Sequence, residues 1–444
     1  MIQTRTSPVL SFQPLWTPEV ARIVSDFPKK GIFLTGIEGS DPKIDGVRRN
    51  QLKEAHDFYQ NYEARLEKIR ELGITWLRFG MPYSQVHAAR DHFDFSFCDK
   101  VVKKCGELGI TIMADLLHFG LPDWLHEELN EDQYFQNRFF PGEFARYAHA
   151  FAERYPHIRH YTIVNEPYLT AFFSSKLGLW NEHRWGDGWQ DDRPFVNATR
   201  NIAQAAILGR KAIEGVWDHE GRKEELIFVQ NESFEVSTAA PGSGREAEAE
   251  RFNLRRFAVL DLIFGVRDET MRRYLLDQGL SDAEYEWFMD YGSMTKTVLG
   301  IDHYPTCVHT FYKDRTQDNS PTDPYRLYEI TKEYWERYPL PLLHTEVNAW
   351  PDHALSLCQQ TYDAMARLKQ EGYPVIGMGW YGDDLQVGWH VAMRGPRSKE
   401  ENPVGLFYKG DAQPVALLFG QLLQTGFPDR GETVDVGTWA AHSF

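Results

Sequence analysis

The stretch HYTIVNEP, His160–Pro167, decides how the rest of this chain is read. Tyr161, Ile163 and Val164 are apolar and β-prone, which predicts a buried strand. Asn165 and Glu166 follow, and Pro167 has no N–H to give to a sheet ladder, so the strand is expected to end there. A carboxylate beside a carboxamide at the end of a buried strand carries a desolvation cost that a specific role must offset. A second carboxylate, Glu346 in PLLHTEVN (341–348), stands in a similar strand-end position.

Working outward, seven more short apolar runs have the same character. They are GIFLTGIEG (31–39), ITWLRFG (74–80), ITIMADLLH (110–118), ELIFVQNES (225–233), VLGIDHYP (298–305), LPLLHTEV (340–347) and PVIGMGWYG (374–382). Segments with helical spacing separate them, at residues 50–72, 97–108, 141–155, 196–216, 325–337 and 355–370, with a last one at 414–423. Gly73 and Gly109 stand where two of these helices should stop. Residues 240–297 are mostly polar with a helical pattern. Continuous rather than alternating apolar runs predict a parallel sheet buried on both faces. Eight such βα units predict a closed (β/α)8 TIM barrel, with residues 1–444 as one catalytic domain. A doubly wound open sheet is the alternative, but no GxGxxG follows the first strand.

Composition bounds the partners. With 42% hydrophobic residues among 444, a sizeable core is available. The net charge of −16 repels nucleic acid and anionic membrane surfaces. Cys98, Cys105, Cys307 and Cys358 form no CxxC, which predicts neither a zinc site nor a disulfide framework. The first twenty residues hold no apolar run of signal-peptide length, and no segment approaches the roughly 18 apolar residues of a membrane helix. A soluble, cytoplasmic protein without metal or cofactor is expected. The 13 Trp suit a sugar or other flat ligand and a large core equally well.

In a (β/α)8 barrel the active site lies at the C-terminal ends of the strands. The polar and aromatic residues expected there are Glu38, Arg78, His118, Asn165, Glu166, Asn231, Glu232, Asp302, Tyr304, Glu346, Trp380 and Asp383. Two carboxylates with hydrogen-bond donors and aromatic faces suit acid/base chemistry on a polyhydroxylated substrate. Glu232, in the run NES (231–233), imitates an acid motif and is a decoy.

Taken together, these runs resemble glycoside hydrolase family 1, the β-glucosidase-type retaining enzymes, over nearly the whole chain. HYTIVNEP resembles the family's acid/base motif, which implies Glu166 as general acid/base and Asn165 at the substrate 2-hydroxyl. LLHTEVN is similar to the nucleophile motif TENG, with Val347 departing from it, and implies Glu346 as nucleophile. LLHFGLPDWL resembles the HWDLP segment and places His118 on the sugar ring. WLRFG implies that Arg78 supports the nucleophile, GIDHYPT resembles GLNYY and places Tyr304 on Glu346, and GWYG implies Trp380 as a sugar platform. Two departures concern the sugar. The family's first-strand glutamine is replaced by Gly36, which removes a hydroxyl reader and is expected to leave space. The late Glu-Trp pair is replaced by the run Trp380–Trp389, in which Asp383 or Asp384 is expected to substitute for the missing Glu. Glu38 is a further expected substrate contact, and the loop with Trp185 and Trp189 is expected to border the leaving-group side.

The resemblance implies a retaining β-glycosidase acting on a β-linked glycoside or oligosaccharide through a glycosyl-enzyme, with transglycosylation within reach. A non-catalytic sugar-binding or accessory barrel is the alternative, and the altered sugar motifs keep it open. Neither reading determines the oligomeric state.

Overall fold

The computed structural model describes residues 16–127, 134–181, 191–395 and 397–429. Eight parallel strands close into a barrel in sequential order. They are β1 (Ile32–Ile37), β2 (Trp76–Gly80), β3 (Thr111–Asp115), β4 (His160–Thr162), β5 (Ile227–Ser233), β6 (Thr297–Asp302), β7 (Leu342–Glu346) and β8 (Val375–Tyr381). β1 closes the ring between β2 and β8, with Gly36 opposite Arg78 on one side and Tyr381 on the other. The expected TIM barrel is the observed fold.

The outer ring contains α1 (Phe58–Glu71), α2 (Ser96–Leu108), α3 (Phe140–Arg154), α4 (Arg193–His219), α5 (Leu327–Arg337), α6 (Pro351–Gln370) and α7 (Pro414–Thr425). Gly109 caps α2 at φ 66°, a left-handed position that suits glycine. The single helix expected over 50–72 is broken. Gln51–Glu54 forms one turn, His56 and Asp57 take φ of 57° and 32°, and α1 begins afresh at Phe58. The polar stretch before β6 folds as four short helices, Glu246–Arg255, Ala258–Phe264, Glu269–Asp277 and Asp282–Tyr291.

The alternation of side chains along each strand divides the core. Leu77, Phe79, Ile112 and Ala114 pack outward among the helices. Ile32, Leu34, Met113, Val229, Val298 and Leu343 pack together inside the barrel, beneath Ile23 and Phe27 of the helix Pro18–Ser25 and its exit. Burying such a side chain contributes about 1.5–3 kcal/mol. Cys98 and Cys105 are both buried on α2, as their seven-residue spacing predicts.

Two expectations are corrected here. β4 ends at Thr162, four residues before Glu166, because Pro167 opens a helix, Pro167–Ala171, instead of capping the strand. Asp383 does not face the barrel mouth. Arg65 of α1 holds it through Nε to Oδ2 at 2.7 Å and Nη2 to Oδ1 at 2.5 Å, and both residues are buried. Asp384 is likewise consumed, by His56 Nδ1 at 2.8 Å and by the backbone N–H groups of Leu385, Lys409 and Gly410. Both carboxylates anchor the segment after β8, and neither replaces the missing glutamate.

Removing one partner of a buried ion pair strands the other charge in a low dielectric. Arg65→Met is expected to lower unfolding free energy by about 3–5 kcal/mol, read by denaturant melts. An unchanged midpoint would show that the pair does not anchor this segment.

Candidate active site

The site is built on Glu346, the last residue of β7. Its Oε1 accepts from Arg78 Nη1, and its Oε2 accepts from the Tyr304 hydroxyl at 3.0 Å. Arg78 lies mid-strand in β2 and is wholly buried. Its second amino group donates to Asp115 Oδ2 at 2.9 Å and to Asn165 Oδ1, and its guanidinium lies 5.2 Å from the Tyr381 ring centroid. Asp115 also bonds His118 Nδ1 at 2.7 Å, and the Asn165 amide meets His118 Nε2 at 3.2 Å. Asn231 donates to Asn165 Oδ1 at 2.6 Å and to Asp302. One guanidinium thus ties together residues from β2, β3, β7 and the turn after β4.

Glu166 sits in that turn with φ 37° and ψ 62°, a left-handed conformation that costs a non-glycine residue about 1–3 kcal/mol. Neighbours hold it there. Gln230 donates to the Val164 carbonyl at 3.0 Å, and the Leu117 carbonyl accepts the Asn165 N–H at 2.9 Å. Glu232 accepts the Tyr168 N–H at 2.7 Å in the first turn of the helix that Glu166 precedes. Glu232, read in the sequence as a decoy, is wholly buried and fastens the loop that carries Glu166 from behind.

Carboxylate oxygens of Glu166, Asp302 and Glu346 lie within 4.8 Å of one another. Burial raises the Glu166 carboxyl well above the usual range, and the negative charges of Glu346, Asp302 and Glu232 push it further. It is a carboxyl built to hold a proton. Glu346, by contrast, has a permanent counter-ion in Arg78 and a hydroxyl donor in Tyr304. Burial and the Glu346 charge keep the Tyr304 phenol neutral. One protonated acid beside one ion-paired carboxylate can protonate a leaving oxygen and attack an electrophilic carbon from the other side.

A cavity of about 690 Å³ opens over these groups. Glu38, His118, Glu166, Tyr304 and Glu346 line it, and Arg78 and Asn165 lie behind its wall. Trp380 is placed differently from the expected platform. It is wholly buried, its indole donates to the Val404 carbonyl at 3.0 Å, and it offers no exposed face to the cavity. The tryptophans on the wall are Trp350 and Trp389, and the buried indole N–H of Trp389 has no partner among the described residues. The space expected beside Gly36 is also filled. A Cβ there would lie 1.8 Å from the Tyr381 ring, whose hydroxyl donates to the Ile37 carbonyl at 3.3 Å. Trp185 and Trp189 lie outside the described residues. The wall beyond Glu166 is apolar, with Leu169, Phe172, Phe173, Phe252 and Phe311.

Gln386 and Trp389 were not singled out as substrate contacts in the sequence, although both fall in the altered run after Trp380. Asp302 was legible as the acidic residue where GLNYY has asparagine.

Carboxylates at the strand ends of an eight-stranded parallel barrel mark a (β/α)8 enzyme whose mouth performs acid/base and nucleophilic chemistry. The chain matches the profile of Glycosyl hydrolase family 1 over residues 42–352 and belongs to that family; it is a glycoside hydrolase. Its fold is similar to the family 1 β-glucosidase of Thermotoga maritima, with a TM-score of 0.71 at 15% identity over 91% of this chain and 99% of that one. The β-glucosidase from the same organism in complex with a methyl acetic acid-substituted glucoimidazole gives 0.72 at 14% identity, with the same coverage of 91% and 99%.

Two outcomes are expected from this geometry. Activity that needs protonated Glu166 falls as pH rises through its raised pKa, and Asp302 contributes to that raising. Asp302→Asn should therefore move the alkaline limb of kcat/KM to lower pH; a limb that stays in place would remove Asp302 from the electrostatics of Glu166. Gly36→Ala drives a methyl into the Tyr381 ring and should destabilise by about 1–3 kcal/mol, as overpacking does. Combined with Tyr381→Ala, the thermal unfolding loss should fall short of the sum of the two single losses.

Proposed function

We propose that this chain is a retaining β-glycosidase of the β-glucosidase type, its barrel a single catalytic domain. The observation that carries this reading is the approach of Glu166 and Glu346, whose oxygens come within 4.8 Å. Retaining enzymes hold their two carboxyl groups about 5–5.5 Å apart, whereas inverting enzymes leave about 6.5–9.5 Å for a water.

In the first step Glu346 attacks the anomeric carbon while Glu166 gives its proton to the departing glycosidic oxygen. The product is a glycosyl ester on Glu346. Loss of the Glu346 charge removes one of the forces that raised the Glu166 carboxyl, so Glu166 becomes a competent base. It then takes a proton from water, which attacks the same carbon from the face the leaving group vacated. A sugar hydroxyl in place of that water gives transglycosylation. Asn165, which the family resemblance assigns to the substrate 2-hydroxyl, is wholly buried against His118 and Arg78 behind the cavity wall. The apolar wall beyond Glu166 favours a leaving group with apolar surface.

The substrate is a carbohydrate, and the net charge of −16 disfavours nucleic acid as a partner. Four free, buried cysteines fit the reducing cytoplasm. No helix among the described residues is long and apolar enough to cross a membrane.

Glu346→Gly is expected to abolish hydrolysis of nitrophenyl β-glycosides, and added azide to restore turnover with an α-glycosyl azide as product. Glu166→Gln should lower kcat/KM by about 10²–10⁴ on substrates with poor leaving groups, the usual scale of general acid catalysis, and by less on activated ones. A β-glycosyl azide from the Glu346 variant, or equal losses on all leaving groups for the Glu166 variant, would refute the assignment.

A further inference from the structure

A second cavity lies on the outside of the barrel. Its walls are α4, the outward side of β5, the residues leading into β6, and the helices Ala258–Phe264 and Asp282–Tyr291. It shares no lining residue with the cavity over Glu166 and Glu346. Its volume is about 210 Å³. An apolar cavity of about 150 Å³ holds a benzene molecule, so this one has room for a ring and one head group.

The floor is apolar and is made by the buried side chains of Ile163, Ile207, Phe228 and Phe264. The rest of the wall is cationic. Arg210, Lys211, Lys223 and Lys296 line it, and Glu214 is the one carboxylate among the described lining residues. Three cations share that carboxylate. Glu214 Oε1 lies 3.3 Å from both Arg210 Nε and Lys296 Nζ, and Oε2 lies 4.0 Å from Lys223 Nζ. Charge-assisted hydrogen bonds of this kind run at about 2.7–2.9 Å, so none of the three contacts is a full one. Arg210 directs its amino groups to the Ser293 and Thr295 carbonyls at 2.9 and 2.6 Å, which are neutral acceptors. Lys296 is buried, and its other carboxylate contact is the exposed Glu224 at 3.6 Å. Glu19, also close by, is spent on the Lys296 backbone N–H and on Arg22.

Lys211 makes no ion pair among the described residues, and its ammonium stands 3.5 Å from the Tyr291 ring centroid. Desolvation pulls both the Arg210 guanidinium and the Lys211 ammonium below their ordinary pKa values. Lys296 takes φ 53°, a left-handed conformation that a non-glycine residue holds at a cost and that is concentrated at ligand sites. A chain of net charge −16 thus keeps an under-compensated positive cluster over an apolar floor.

We propose that this cavity is a ligand site separate from the barrel mouth, and that it takes a small organic anion: an apolar body against Phe228 and Phe264, and a carboxylate or phosphate head among Lys211, Lys223 and Lys296. A neutral ligand leaves the excess charge unmet, and an inorganic anion leaves the apolar floor in water. The site does not depend on the reaction at the mouth, where Glu38, Glu166 and Glu346 disfavour an anion.

The test is calorimetry of the full chain with phenyl phosphate, benzoate, benzyl alcohol and inorganic phosphate. At least one of the two aromatic anions should bind one-to-one with Kd of about 1 mM or tighter, an ordinary affinity for a ligand of this size. Either head supports the site, and the tighter of the two names it. Benzyl alcohol and inorganic phosphate should each bind at least about 10-fold more weakly, since each lacks one half of the interaction. Lys296→Met should weaken the better anion by at least about 10-fold, the scale of a hydrogen bond to a charged group. Lys211→Met removes an exposed side chain, so it keeps the test open if Lys296→Met does not fold, and it should weaken binding by about 3-fold or more. Thermal melts report the folding of each variant. Glu166→Gln, in the mouth, should leave Kd within about 2-fold of wild type, as distant sites do. No saturable binding of either aromatic anion would overturn the proposal. So would equal binding of benzyl alcohol or inorganic phosphate, equal binding by folded lysine variants, or loss of binding in Glu166→Gln.

Discussion

A single buried guanidinium organises this barrel mouth. Arg78 has no access to solvent, so its charge must be met by protein groups or the fold would not tolerate it. It is met by Glu346, Asp115 and the Asn165 carboxamide. Each of those comes from a different βα unit, so the arginine works as a four-way joint across the ring. It pairs directly with Glu346, whereas Glu166 makes no ion pair among the described residues, and from that asymmetry the division into an ion-paired carboxylate and a proton-holding carboxyl follows.

The remaining groups serve to keep that asymmetry in register. Glu166 occupies a strained backbone conformation, and the residues that enforce it come from β5, where Gln230 and Glu232 grip the two sides of the turn. Asp383 and Asp384 perform the same office for the segment after β8, which carries Gln386 and Trp389 into the cavity wall. Buried carboxylates in this protein thus fall into two sets. Some are saturated by donors and hold loops. Others, Glu38, Glu166 and Glu346, face the cavity.

The barrel was legible because its signal is repeated. Eight apolar runs with helical segments between them leave few topologies, and each boundary error of a few residues is harmless to the count. The proposed catalytic pair was legible because Glu166 and Glu346 stand in local motifs with recognisable neighbours. Less was legible where a side chain's direction mattered. Nothing in the run WYGDDLQVGW (380–389) tells which of Asp383, Asp384 and Gln386 turns toward the cavity, because Arg65 and His56, which capture the two aspartates, are more than three hundred residues away in sequence. The platform expected of Trp380 met the same difficulty: its ring is covered by packing from distant segments.

What the sequence by itself determined is the set of elements and the types of group at their ends: apolar periodicity sets strands and helices locally, and a carboxylate at a strand end is visible without any partner. What only the tertiary structure decided is which of those groups remain available to a ligand. Gly36 reads as an open space, yet the ring of Tyr381, its neighbour across the closing β1–β8 seam, occupies that space. Availability depends on what distant residues consume, through hydrogen bonds, ion pairs and volume, and those are properties of the closed barrel rather than of any stretch along the chain.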